Sequence, residues 1–88
     1  LTGAKLNNAD LTGARLNNAD LTGVDLTNAN LTDAILWGVN LTNANLTNAT
    51  LFGTSLFGAN LTNANLTATK MTNAEFTSAT MPDGTIHN

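Results

Sequence analysis

The sequence predicts an all-β solenoid, and three observations carry that prediction. A five-residue unit repeats over residues 1–85 without insertion or deletion, giving seventeen units and leaving only Ile86-His87-Asn88. The first position of the unit is Leu from Leu1 to Leu66, then Met71, Phe76 and Met81. Three positions later stands a small residue, which is Ala in 12 of 17 units and Val24, Val39, Thr54, Thr69 or Gly84 in the others. Between these two positions, 15 units carry Gly, Asn or Asp, with Ala68 and Ser78 as the exceptions. These are the residue types that tolerate positive φ.

The five-residue period excludes the regular elements. A helix advances ~100° per residue, so a Leu at every fifth position drifts by ~140° and no apolar face forms. A continuous strand alternates sides, and an odd period sends successive Leu to opposite faces. A corner in every unit resolves the conflict. Three extended residues, as in Ala4-Lys5-Leu6, put the small residue and the Leu on one side and Lys5 on the other, and Asn7-Asn8 then turn the chain. Repeated turns of one hand coil the chain around an interior of Leu and Ala. The sequence also hints at four units per coil, since Leu36-Trp37-Gly38-Val39-Asn40 is echoed by Leu56-Phe57-Gly58-Ala59-Asn60, and Leu41-Thr42-Asn43-Ala44-Asn45 recurs unchanged at 61–65.

Composition fits one domain with an unusual core. Apolar residues are 42% of the chain and aromatic residues only 5%, so Leu and Ala must fill the interior. Three Lys and Arg against six Asp and Glu give a net charge of -3, which provides no basic footprint for nucleic acid. With no cysteine there is neither a disulfide framework nor a thiolate metal site. No run approaches the ~18 apolar residues of a membrane span, so neither nucleic acid nor a membrane is an expected partner. The chain opens on Leu1, inside the repeat, and its start leaves any upstream or targeting segment undecided.

The triplets Ala9-Asp10-Leu11, Ala19-Asp20-Leu21, Ala29-Asn30-Leu31, Ala44-Asn45-Leu46 and Ala64-Asn65-Leu66 resemble the A(D/N)Lxx unit of the pentapeptide-repeat family. That resemblance covers essentially the whole chain. It implies a right-handed quadrilateral β-helix with four pentads per coil and about four coils, over 1–85, with 86–88 as a C-terminal tail. The second position departs from Asp or Asn at Lys5, Arg15, Ile35, Thr50, Ser55, Lys70, Glu75, Thr80 and Thr85; because it faces solvent, these departures are expected to cost the fold little. At the C-terminal end Met71, Phe76 and Met81 are expected to plug the last coil, and Met81-Pro82-Asp83-Gly84 resembles endings common among cyanobacterial members.

Chemistry finds little foothold. His87 is the single histidine and reads as a frayed tail residue, so no catalytic triad or histidine metal pair can form. The glycines sit at repeat corners rather than in a phosphate-binding loop. No catalytic residue, metal ligand or cofactor is expected, and the chain reads as a non-enzyme. The Asn-Leu-Thr sequons are by-products of the unit, and single ranks of Thr beside turns fall short of an ice-binding face. Some family members inhibit DNA gyrase by resembling a carboxylate-covered DNA rod. Duplex DNA carries one charge per ~1.7 Å, and a net charge of -3 is far too small to imitate it.

Aromatic residues are the informative departures. Trp37 and Phe57 occupy the first turn position 20 residues apart, Phe52 lies on an adjoining face, and Ile35 is expected at the corner between them. An apolar cluster on a polar exterior marks a candidate interaction patch, against the simpler reading that stacked rings tie neighbouring coils together. The expected role is a structural or protein-interaction scaffold, with a protein partner or a homodimer formed through this patch or a solenoid end.

Overall fold

The structure, a computed structural model, describes residues 1–87; Asn88, the last residue of the expected tail, lies outside them. Among the described residues, twelve parallel β-bridges run from Lys5↔Asp25 to Asn60↔Thr80, each joining a residue to the one 20 positions later. The bridging residue is the outward centre of each extended segment. Its amide and carbonyl both point toward the preceding coil, as when the Asp25 N–H donates to the Ala4 carbonyl (2.9 Å) and the Asp25 carbonyl accepts from the Leu6 N–H (2.8 Å). Four units therefore complete one coil, and each coil hydrogen-bonds to its neighbours.

Every corner is a hydrogen-bonded turn. The amide after the turn donates to the carbonyl of the Leu that opens it, as in Ala4 N–H to Leu1 (2.9 Å) and Ala44 N–H to Leu41 (2.9 Å). The third turn residue has positive φ from Gly3 at 69° through Ser78 at 60°, as a type II turn requires. Ala68 (55°) and Ser78 (60°) adopt it too, although neither residue favours it. The pairing with adjacent coils thus overrides local preference, at a cost of roughly 1–2 kcal/mol for an L-residue.

The core is the expected stack of Leu and Ala. Nine Leu from Leu21 to Leu61 are buried, with Val24 and Val39 among them. Thr54, buried in an Ala column, donates its hydroxyl to the Leu31 carbonyl at 2.6 Å, and Thr69 does the same to Leu46 at 2.8 Å. The two ends are less well covered. Leu6, Leu11 and Leu16 are half-buried and Leu1 is 67% exposed.

The C-terminal end departs from the repeat. Asp83 was expected at the positive-φ position, but that conformation falls on Gly84 at 87°, one residue later. The Thr85 carbonyl accepts from Met81 (2.7 Å), and the chain reverses, so that Ile86 pairs antiparallel with Thr80. His87, read from the sequence as frayed, instead donates its amide to Ala79 (2.8 Å), accepts from Ser78 (2.7 Å) and sets its ring 5.9 Å from that of Phe76. Pro82 and Gly84 supply the bend that a plain repeat lacks. Phe76 and Met81 pack on the core as expected of plugs, whereas Met71 remains 37% exposed.

Candidate interaction surface

The outer surface is built from a bond pair that the repeat makes over and over. Where Asp or Asn stands at the strand centre, its Oδ1 accepts both the amide and the hydroxyl of the Thr two residues on. In Asn40–Thr42 these distances are 3.1 and 2.7 Å, and in Asn65–Thr67 they are 3.0 and 2.6 Å. The same pair forms at Asp10, Asp20, Asp25, Asn30, Asn45 and Asn60, and once outside the strand centres, between Asp83 and Thr85 in the C-terminal turn. This position faces solvent but is not idle, because it fixes the entry to each corner. Sequence reasoning missed this, although the signal was present: every Asp or Asn at that position in residues 1–80 is followed two residues later by Thr.

These bonds shape the electrostatics. The Thr12 hydroxyl, then its amide, hold the Asp10 carboxyl below the usual carboxylate range. Thr22, Thr27 and Thr85 act in the same way on Asp20, Asp25 and Asp83, and Lys5, one coil away, adds a smaller lowering to Asp25.

The three exterior aromatic rings occupy the Thr position of units that lack the bond pair. Trp37 follows Ile35, Phe52 follows Thr50 and Phe57 follows Ser55, so neither partner of the pair is present. With no inward hydrogen bond to make, the side chain at this corner is free to project. The rings are 48%, 40% and 51% exposed for Trp37, Phe52 and Phe57.

Trp37 and Phe57 lie on one corner column in successive coils, since the Gly38 amide after Trp37 donates to the Phe57 carbonyl (2.9 Å). The indole Nε1–H of Trp37 donates to Ser55 Oγ at 2.6 Å, which fixes the ring across the boundary between coils. Ile35 was expected at a corner. It is instead a strand centre, bridged to Arg15 and Ser55 and half-buried, because the outward position falls in the middle of each side. Phe52 belongs to the preceding corner, where it lines an open depression of about 370 Å³ with Thr32, Asp33, Gly53, Thr72 and Asn73. Ring stacking is not what ties Trp37 to Phe57: among the described residues the one aromatic ring pair is Phe76 with His87. Ser55 is the residue the sequence did not single out.

Thr22, Thr42 and Thr62, which share one corner column, each donate the hydroxyl to the Asp or Asn two residues before, so this Thr rank is engaged internally. Among the described residues no three His, Cys, Asp or Glu gather as a metal ion would need. No helix there is long and apolar enough to cross a membrane.

Solved structures place this architecture. HetL, a pentapeptide repeat protein involved in heterocyst differentiation regulation from the cyanobacterium Nostoc, matches with a TM-score of 0.97 at 42% identity, over 99% of this chain and 40% of HetL. A second Nostoc pentapeptide repeat protein matches with a TM-score of 0.52 at 39% identity, over 80% of this chain and 62% of that one. One from the cyanobacterium Cyanothece matches with a TM-score of 0.50 at 36% identity, over 85% of this chain and 51% of that one. The chain thus spans less than two thirds of each of these proteins. No curated protein matches it. The family model for pentapeptide repeats matches at residues 1–33, 25–63 and 51–84. Repeat, register and relatives agree: the chain belongs to the pentapeptide-repeat family.

Proposed function

We propose that this chain is a non-enzymatic protein-interaction module, a right-handed quadrilateral β-helix that presents Ile35, Trp37, Phe52 and Phe57 to a protein partner. The observation that carries the reading is the exposure of three large rings at a corner position that elsewhere holds a polar residue or Pro82, most often a Thr bonded to the Asp or Asn two residues before it. Trp37 is the natural anchor. Its ring is already oriented by Ser55, so docking against it loses little side-chain freedom, and Trp is enriched among residues that dominate interface energies. The involvement of HetL in heterocyst differentiation regulation supports a regulatory rather than a chemical role. Inhibition of gyrase by DNA mimicry gains no support from a surface with three basic and six acidic side chains.

The test is Trp37→Ala combined with Phe57→Ala, compared with the unmodified chain in pull-down and sedimentation. Loss of partner capture with little change in melting temperature is the expected result. Unchanged capture with a lowered melting temperature would show that the rings serve only the stability of the coils.

A further inference from the structure

We infer that the depression at Phe52 is a recognition site for an arginine side chain of a protein partner, with the guanidinium over the Phe52 ring and its N–H edge against the Asp33 carboxylate. The inference rests on the interaction-module reading only in assigning that arginine to a protein; the chemistry of the depression stands by itself.

Three features of this corner point to a planar cation. The first is an uncommitted carboxylate. Four of the six acidic side chains, those of Asp10, Asp20, Asp25 and Asp83, already accept the hydroxyl and amide of the Thr two residues on. Asp33 stands at a turn position, and the residue two further on is Ile35, which has no hydroxyl to give. Its side chain is exposed. The second feature is an open ring. Phe52 is 40% exposed, and no other ring covers it, since the one aromatic pair among the described residues is Phe76 with His87. The face of an aromatic ring attracts cations.

The third feature brings these two together. Gly53 follows Phe52, and a Cβ at Gly53 would lie 2.5 Å from Asp33 Oδ1 on the preceding coil. The carboxylate oxygen thus leans into the space that a side chain would fill. Carboxylate and ring open on one hollow of about 370 Å³, which Thr72 and Asn73 border on the following coil. Thr72 comes two residues after Lys70, so its hydroxyl lacks the usual Asp or Asn acceptor, and the Asn73 amide adds an acceptor oxygen.

Charge complementarity selects the occupant. An apolar side chain seated here would strip water from the Asp33 carboxylate and offer it nothing in return. A guanidinium can lie flat on the ring while its edge donates to a carboxylate, whereas an ammonium is a compact, strongly hydrated point charge. The hollow is at the low end of the roughly 300–1,000 Å³ of small-ligand pockets, which suits one side chain. The flanking sides carry charges of both signs. Arg15 stands one coil before Asp33, Glu75 lies two residues past Asn73, and Lys70 stands two coils after Asp33. The preference therefore comes from contact with Asp33 and Phe52 and not from a broad acidic field.

Titration of the folded chain with acetyl-arginine methylamide, followed by amide chemical shifts in NMR, tests this. The expected result is saturable shifts at Asp33, Phe52, Gly53 and Asn73. Binding should weaken about tenfold for the neutral isostere acetyl-citrulline methylamide, as for loss of a charge-assisted pair. The lysine analogue should bind more weakly than the arginine one. Asp33→Asn keeps a residue that tolerates positive φ and should lose the discrimination against citrulline; Phe52→Leu keeps apolar volume and should weaken the arginine probe. Trp37→Ala with Phe57→Ala should leave the probe bound. Shifts that do not saturate, equal shifts at Asp10 and Asp20, equal binding of the citrulline probe, or discrimination that survives Asp33→Asn would overturn the inference. If the probe fails to bind while the Trp37 and Phe57 substitutions still abolish partner capture, this inference falls and the interaction-module reading stands.

Discussion

Each Asp or Asn that precedes an inward Leu binds the Thr two residues on through one oxygen, and the chemistry of that oxygen differs between the two residue types. Asn30, Asn40 and Asn60 accept with an amide oxygen that does not titrate, while Asp10, Asp20 and Asp25 accept with a carboxylate held below its ordinary range by the Thr hydroxyl and amide. The ordinary aspartate value is ~3.9. A carboxylate lowered on folding contributes stability that is complete above that value and is lost as pH falls through the lowered one. Asp10→Asn, Asp20→Asn and Asp25→Asn together should leave the melting temperature at neutral pH nearly unchanged and flatten its decline below about pH 4, where the unmodified chain loses these bonds. Thermal melts between pH 7 and pH 2 would show it, and an equally steep decline in the triple variant would exclude this origin. The Asp-x-Thr and Asn-x-Thr spacings were legible in the sequence, but a sequon reading hid their meaning. Only coordinates show that one oxygen takes both donors.

At the scale of the element, the corner is where residue choice is most constrained. Gly53 has φ of 65°, and a Cβ there would lie 2.5 Å from Asp33 Oδ1 on the neighbouring coil; Gly58, at 68°, has open space around it. Gly58→Ala should therefore cost only the positive-φ penalty of about 1–2 kcal/mol. Gly53→Ala should cost measurably more, and Asp33→Ala in the same chain should recover the excess. Urea unfolding of the single and double variants checks this, since a coupling near zero would mean that Asp33 simply swings away. The corners, the inward Leu and Ala columns and the 20-residue echo of Trp37 at Phe57 could all be read from the sequence, because each follows from side-chain direction and local φ. The reversal after Pro82 could not. It depends on Gly84 taking the bend that the repeat assigns to Asp83, and on a free edge at 78–80 for Ile86 and His87 to join. Ile35 was misplaced for a similar reason, as only the closed register shows which residues stand at the middle of a side.

The molecule as a whole is a short stack, with extents of 29 × 24 × 24 Å, in which burial depends on distance from the ends. Leu46 has a coil on either side and is fully buried, whereas Leu6 of the same column is half-buried. Leu46→Ala should destabilise by about 2–5 kcal/mol, as for large-to-small changes in well-packed cores. Leu6→Ala should cost clearly less; equal losses would contradict an end-to-middle gradient. Such a gradient is the ordinary behaviour of repeat proteins, whose stability is a sum of unit and neighbour contributions.

The ladder that joins each residue to the one 20 positions later also sets a rule for how chains of this kind can grow. Adding four units keeps every downstream column in phase and lengthens the stack by one storey. Adding a single unit keeps the local pattern intact but rotates everything downstream by a quarter turn. Placed between Trp37 and Phe57, it would carry the two rings to different sides and part Trp37 from Ser55, with no clash and no buried polar group to reveal the change. Length in this architecture therefore works as an angular coordinate: the number of units between two side chains decides whether they share a surface.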